Sequence, residues 1–253
     1  MTEDITYDVR GRVGVITLNR PQRRNAFTFD MIHRWPQLLE GAESDGDVAA
    51  VVLTGAGDSF CSGVDLALLE DTDHRPETYK AMLTQRIHKI AYAMDGMSKP
   101  VIAAIGGPAI GAGLDMALMC DLRFAARSAT MAERYIRLGL VPGDGGAFYL
   151  PRIVGPAKAL ELLLTGDTID AEEALRIGMV NRVYDDSDLV AETVAFAESL
   201  AGYPPVALGM IKRAVRHTMG GDLRAHMDLI SSHFGIAAMG ATFSSTIKAN
   251  RSS

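Results

Sequence analysis

Two glycine-rich stretches hold the residues best placed to do chemistry. One is Thr54-Gly55-Ala56-Gly57-Asp58-Ser59-Phe60-Cys61-Ser62-Gly63-Val64-Asp65-Leu66, and the other is Ile105-Gly106-Gly107-Pro108-Ala109-Ile110-Gly111-Ala112-Gly113-Leu114-Asp115. Small side chains there leave backbone N–H groups uncovered, and the second stretch aims a helix N-terminus at whatever binds. Peptide N–H donors at the positive end of a helix suit an oxyanion. Taken singly, each stretch is equally a tight turn after a strand.

Other chemistries find less support. There is no G-x-S-x-G elbow, Walker A loop or H-E-x-x-H pair. Gly55-Ala56-Gly57 and Gly111-Ala112-Gly113 lack the third glycine of a dinucleotide fingerprint. The six histidines, His33, His74, His88, His217, His226 and His233, fall outside both loops. Cys61 has no histidine partner in its loop and Cys120 follows an apolar helix, so both read as packing thiols. Two cysteines so far apart make neither a metal cluster nor a disulfide framework, and no metal site is expected.

The elements that must position the loops alternate between strand and helix. Ile5 to Arg10 and Val13 to Leu18 alternate apolar and polar residues around Gly11-Arg12, as a β-hairpin does. A helix follows from about Thr28, its N-cap, with Phe29, Ile32, Trp35, Leu38 and Leu39 on one face. The apolar runs Val48 to Leu53 and Val101 to Ile105 are strands covered on both faces, each leading into one of the loops. A short helix begins at Asp65, Asp71 to Pro76 is a polar loop, and Glu77 to Met97 is one long helix. Leu114 to Met119 is helical, and Asp121 to Ala125 is another strand. From Gly145 onward almost everything has helical period: Pro156 to Leu164, Ala171 to Ile177, Asp188 to Leu200, Pro205 to His217, and Asp222 to about Ile247. The pattern predicts an α/β fold with a largely parallel sheet and a helical C-terminal subregion. The apolar faces of those last helices must bury against the body or another subunit.

The chain has 253 residues, read as one domain: a core over about 1–195 and a helical region over about 196–253. A hydrophobic share of 48% and a charged share of 22% are those of a soluble globular chain. The net charge of -6 argues against nucleic acid as a partner, though a local pair such as Arg23-Arg24 can still hold a phosphate. An acidic N-terminus with no apolar h-region, and no run long enough to span a bilayer, point to a cytoplasmic protein away from membranes.

Taken together, the two loops resemble those of the enoyl-CoA hydratase/isomerase (crotonase) family, and the likeness continues along most of the chain. Leu18-Asn19-Arg20-Pro21 through Asn25-Ala26 is similar to the family's opening strand and coenzyme-A loop, which implies phosphate contacts for Arg23 and Arg24; the alternative is a solvated surface pair. Phe60-Cys61-Ser62-Gly63-Val64-Asp65-Leu66 is similar to the first oxyanion loop. The resemblance makes the N–H groups of Val64 and Ala112 the donors to a thioester oxygen, with Ala26, Ser62, Gly63, Asp65, Leu66 and Gly111 lining the substrate. Ala171 through Asn181 matches the family's post-core helix and return strand, and Pro205 through Ala214 its next helix. The stretch Ala237 to Ser253 departs from the family pattern, so no coenzyme contact is assigned there.

Family hydratases carry two glutamates, and this chain departs from that pattern. The first position, three residues after Ala112, holds Asp115; the second, seven before Pro142, holds Tyr135, with Glu133 two residues earlier. Asp115 keeps the acid–base type and, near a helix N-terminus, is expected ionised; its alternative role is to complement the helix dipole. Tyr135, with a phenol pKa near ~10, is a poor base at neutral pH but can donate a hydrogen bond or line the acyl pocket. Asp144, in Pro142-Gly143-Asp144-Gly145-Gly146, is an extra carboxylate, read either as catalytic or as the N-cap of the next helix. Glu133 is a further candidate, since residues two apart on a short strand share a face.

The resemblance implies a spiral of ββα units assembling as a homotrimer or homohexamer, with coenzyme A arriving on the substrate and no separate cofactor. The favoured reaction is hydration of a 2-enoyl-CoA, with Asp115 and Asp144 sharing the proton work. A double-bond isomerase, a specialised acyl-CoA lyase or hydrolase, and a non-catalytic acyl-CoA-binding paralogue are the alternatives.

Overall fold

Alternation of apolar and polar residues makes the chain begin as an antiparallel hairpin. In the computed structural model, which describes residues 3–70, 73, 75–218, 222–243 and 245, β1 (Ile5–Arg10) pairs with β2 (Val13–Leu18), Ile5 opposite Leu18 and Arg10 opposite Val13. The crossover helix α1 (Phe29–Ser44) starts at the expected cap, where the Thr28 hydroxyl accepts from the Met31 N–H at 3.3 Å. Its inward face buries Met31, Ile32, Trp35, Leu38 and Leu39. The chain then returns as β3 (Ala50–Gly55), parallel to β2.

After the short α2 (Ala67–Glu70), the helical run expected between Glu77 and Met97 forms in three joined pieces. These are α3 (Pro76–Met82), a π-helical turn (Leu83–Ile87) and α4 (His88–Gly96), with Ile87, Ile90 and Met94 buried. Asp71, Thr72 and His74, in the polar stretch before them, lie outside the described residues. The buried strand β4 (Val101–Ile105) lies parallel to β3, and the two-residue β5 (Ala109–Ile110) leads into α5 (Ala112–Leu118). Then follow β6 (Leu122–Ala126), parallel to β4, and β7 (Thr130–Ala132), parallel to β5.

Beyond a 3-10 turn at Arg134–Leu138 come α6 (Gly146–Val154), α7 (Pro156–Thr165), β8 (Thr168–Asp170), α8 (Ala171–Arg176) and β9 (Arg182–Tyr184). The principal sheet has the order β1-β2-β3-β4-β6-β9, and a smaller one has the order β5-β7-β8. This is the mixed α/β architecture read from the alternation of elements. Two strands nevertheless interrupt the region past Gly145 that periodicity assigns almost wholly to helix. Three residues carry too little pattern to read; partners hold them instead. Asn181 clamps the entry to β9, its side-chain oxygen accepting from the Arg123 N–H at 2.9 Å while its own N–H donates to the Arg123 carbonyl at 2.7 Å.

The C-terminal helices α9 (Leu189–Leu200), α10 (Pro205–Thr218) and α11 (Leu223–Ala238) follow. Asp222 caps α11; the helix expected to reach Ile247 ends at Ala238, and most residues beyond 243 lie outside the described set. Lys212 and Arg216 of α10 reach Asp121 at 2.7 and 2.9 Å and fasten the helix to the body. Val206, Ile211, Leu223, Met227 and Phe234 stay exposed in the single chain. No single helix among the described residues is long and apolar enough to cross a membrane.

The two sheets meet where the glycine-rich loops cross, and Gly113 permits that crossing. A Cβ on Gly113 would run into the backbone carbonyl of Cys61, which a flexible side chain cannot relieve. Gly113→Ala is therefore expected to lower the thermal unfolding midpoint by several degrees, the effect of ~1–3 kcal/mol of strain, whereas Gly235→Ala, which meets nothing within 4 Å, should not. Equal unfolding midpoints for the two variants would refute the crossing constraint.

Candidate active site

The site is built on two isolated bridges between loops. Cys61 pairs in parallel with Ala109: its N–H donates to the Pro108 carbonyl at 3.1 Å, and its own carbonyl accepts from the Ile110 N–H at 2.9 Å. Phe27 pairs in parallel with Val64, donating to the Gly63 carbonyl at 2.9 Å and accepting from the Asp65 N–H at 3.1 Å. In a parallel bridge the two residues flanking Val64 make those bonds, so the N–H of Val64 itself faces away from Phe27. Gly63, at φ 95°, turns the chain toward α5: a methyl built on it would lie 3.5 Å from the Ala112 nitrogen. Among the described residues, no backbone acceptor takes the Val64 or the Ala112 N–H. The expected donors thus lie side by side and uncommitted. Helix α5 has only seven residues, so it presents an N–H group more than a large dipole.

The basic loop lies along the first of these stretches. Arg23 and Arg24 are exposed and form no ion pair among the described residues, and Arg24 and Asn25 are left-handed at φ 50° and 55°. Sequence reasoning passed over Asn25 and Arg20, which hold this loop. Buried Asn25 accepts from the Arg20 N–H at 2.9 Å and donates to the carbonyls of Ala56 and Ser59 at 2.9 and 2.7 Å. The Arg20 guanidinium reaches Asp65 at 2.9 Å and the Ala26 carbonyl at 2.6 Å. That bond holds the Asp65 carboxyl below its ordinary range and assigns Asp65 to fastening the loop. The Ser62 N–H donates to the Arg24 carbonyl at 3.0 Å, Ala26 is buried, and Leu66 is exposed. The asparagine closing L-N-R-P…N-A was the available signal, since asparagine tolerates left-handed backbone more readily than most residues.

The four acid–base candidates come together in one cluster. Tyr135 lies against Gly111, its ring 3.7 Å from where a Cβ there would be, and its hydroxyl oxygen sits 2.7 Å from Asp115 Oδ2 and 2.8 Å from Asp144 Oδ2. The carboxyl of Glu133 contacts that of Asp115, and a side chain on Gly146 would collide with both. Asp115, Glu133 and Asp144 are 0%, 1% and 4% exposed, and among the described residues no lysine or arginine neutralises them.

Several expectations change here. Asp115 is not held ionised by its helix: burial, with the Asp144 charge adding to it, outweighs the Tyr135 hydrogen bond and pushes its carboxyl from 3.8 up to about 7. Burial also raises Glu133 well above its ordinary range, followed by the charge and hydrogen bond of Asp115 and the charge of Asp144. It also raises Asp144, against the pull of Tyr135 and His88. The Tyr135 phenol rises well above 10, through burial and then the two aspartates. Asp144 is not a helix cap either; Gly145 occupies that position, and no side chain caps α6. Glu133 lies one residue beyond β7, and Tyr135 is in the following 3-10 turn, so the turn brings them together instead of strand alternation. His88 is a residue that sequence reasoning left aside. Its Nε2 lies 2.8 Å from the Gly143 carbonyl, which only accepts, so Nε2 carries the proton and the ring braces the turn holding Asp144. Cys61 and Cys120 are buried and pushed up to about 12, as packing thiols are.

Comparison with known proteins follows from this geometry. The enoyl-CoA hydratase/isomerase family model matches residues 8–240. The chain belongs to that family. It is 34% identical to a short-chain-enoyl-CoA hydratase of Clostridium acetobutylicum, over 92% of this chain and 88% of that one. It is 35% identical to the 1,2-epoxyphenylacetyl-CoA isomerase of Escherichia coli, over 98% and 95%. The crystal structure of an enoyl-CoA hydratase subunit from Geobacillus kaustophilus superposes with a TM-score of 0.92 at 31% identity, covering 99% of this chain and 95% of that one. Crotonase-fold neighbours at this similarity confirm the fold class read from the sequence.

A carboxyl raised from 3.8 to about 7 takes up a proton on folding, so its contribution to stability is complete below about pH 4 and is lost as pH rises toward 7. Asp115→Asn removes that ionisation. Its unfolding midpoint should vary less than the wild type's between pH 5 and about 8, with the relative gain largest at the alkaline end. Parallel curves for the two proteins would mean Asp115 ionises normally.

Proposed function

We propose that this chain is an acyl-CoA thioester enzyme, first of all an enoyl-CoA hydratase that adds water to a 2-enoyl-CoA to give a 3-hydroxyacyl-CoA. The observation that carries the reading is the pair of uncommitted N–H groups, Val64 and Ala112, beside a buried acid–base cluster. Two such donors polarise a thioester carbonyl and stabilise the enolate formed when water adds or a proton leaves. Asp115 and Asp144 are then the groups that activate water and deliver the α-proton. Gly63, Ser62 and Gly111 form the wall beside the carbonyl, and Ala26 and Leu66 flank the thioester. The substrate brings its own coenzyme A, so no further cofactor or metal is needed. The exposed apolar faces of α10 and α11 are the surfaces for a homotrimer or homohexamer, and the expected setting is the cytoplasm, away from membrane and nucleic acid.

A second reading, double-bond isomerisation, is favoured by one feature. Tyr135 joins the two aspartates directly, which suits the movement of a single proton from one carbon to another. Incubation with 2-enoyl- and 3-enoyl-CoA thioesters in heavy-oxygen water separates the readings. Label uptake marks hydration, a shifted double bond without label marks isomerisation, and silence across the panel rejects both.

Asp144→Asn is expected to lose about a hundredfold or more in turnover while binding product thioester within a few-fold of the wild type. A hydratase of this kind needs both aspartates, so full activity in a folded Asp144→Asn enzyme would leave Asp115 as sole shuttle and reject the two-aspartate mechanism.

Coenzyme-A binding is expected to weaken when Arg23 and Arg24 both become Ala, with the difference shrinking as salt rises because the arginines are exposed. Calorimetry at low and high salt reads this directly; unchanged affinity at low salt would make them ordinary surface charges.

A further inference from the structure

Three buried carboxyls meet a half-buried phenol, and among the described residues no lysine or arginine joins them. Buried charge without a counter-charge is costly, and such groups take up protons instead. Hydrogen-bond geometry fixes how many. The Tyr135 hydroxyl has one hydrogen yet lies within 2.7 and 2.8 Å of two aspartate oxygens. It donates to one, so the other must be protonated and donate to the phenol oxygen. The contact between Glu133 and Asp115 needs a second proton, because two bare carboxylates repel. A single proton on Asp115 cannot serve both the phenol and Glu133. Asp115 also accepts from the backbone N–H of Gly146, a donor that holds its own proton and so supplies none to the carboxyls.

We propose that Glu133, Asp115, Tyr135 and Asp144 form one proton-sharing chain that holds two protons on three carboxyls, with Tyr135 relaying a proton between the aspartates. Glu133 keeps one proton, donated to Asp115. The other has two positions. In one, Asp144 is neutral and donates to the Tyr135 oxygen, while Tyr135 donates to anionic Asp115. In the other, all three reverse: Asp115 donates to Tyr135 and Tyr135 donates to anionic Asp144. Each transfer breaks one O–H bond at the phenol and forms another, so the phenol is unchanged and one negative charge moves between the aspartates. Among the described residues His88, braced on the Gly143 carbonyl, is the one other titratable group facing the chain, at its Asp144 end. In either state one aspartate is an acid and the other a base. Tyr135, which stands where the family's hydratases carry a second glutamate, thereby acts through the two carboxyls without ionising.

The relay rests on the acid–base reading above, but the proton count does not, and the test separates them. Infrared spectroscopy of the free enzyme in heavy water near neutral pH reads protonated carboxyls by their acid carbonyl stretch. Two are expected in the wild type, one in Glu133→Gln and one in Asp144→Asn, where Asp115 is left as the anion accepting from both neighbours. No acid carbonyl in the wild type, or no loss in either variant, overturns the chain. Tyr135→Phe, checked for folding by thermal unfolding, is expected to lower kcat by about a hundredfold with KM within threefold and the pH profile displaced. A folded Tyr135→Phe enzyme with kcat within threefold and an unmoved profile overturns the relay. If that variant does not fold, the wild type, Glu133→Gln and Asp144→Asn spectra decide the chain. Two acid carbonyls in an enzyme that turns over no thioester would support the proton chain while rejecting the proposed function.

Discussion

The crossing of two backbone segments at Cys61–Val64 and Ala109–Gly113 is the constraint on which the rest of the molecule depends. Each segment leaves the end of a parallel strand, and their bridge at Cys61 and Ala109 brings them closer than any side chain at Gly113 would permit. From that approach follow the neighbouring N–H groups of Val64 and Ala112, the burial of α5, and the position of Asp115 one turn into that helix. Gly107 is needed for the same reason, since a Cβ there would strike the Asp58 carbonyl. Small residues in these loops therefore do two things: they let the chains meet, and they leave donors bare where they meet.

A second constraint follows from burial. Asp115 lies inside the protein because α5 is covered on every side, and the charge it would carry in water is poorly supported there. Glu133, Asp144 and Tyr135 surround it, and Gly146 leaves space for the carboxyls to meet. Desolvation outweighs the dipole of a seven-residue helix, as it generally does when the charged group is fully enclosed. The cluster is thus a store of protons whose acidity depends on its members' contacts, with His88 bracing one end through the turn that carries Asp144.

The family relationship and the departures from it are compatible. Loops, strand order and most of the chain follow the enoyl-CoA hydratase/isomerase pattern, whose members include relatives named as hydratases and as an isomerase. The acid–base positions are where this chain differs, and a tyrosine between two aspartates is chemically unlike a pair of glutamates. A phenol with its pKa raised does not take a proton from water, but it can pass one on. The bare N–H groups and the carboxyl cluster can vary separately because backbone supplies the first and side chains the second.

Much of the architecture was legible in the residues. The hairpin from Ile5 to Leu18, the Thr28 cap and the apolar strands Ala50–Gly55 and Val101–Ile105 follow from periodicity and local hydrogen bonding, which act over a few residues. The identities of Asp115, Glu133, Tyr135 and Asp144 as candidates were likewise set by motif spacing. Their relation to one another was not. The short strands β5, β7, β8 and β9 exist because distant segments pair with them, and no window of sequence contains both partners. Asn25, Arg20 and His88 act across 31, 45 and 55 positions, on Ala56, Asp65 and Gly143. Asp144 looked like a helix cap and Asp115 like an ionised first-turn residue because local rules see the helix and not what covers it. Residue type determined what each group can donate or accept; only the tertiary fold decided which groups lie within reach, how far water is excluded, and therefore which of them carry a proton.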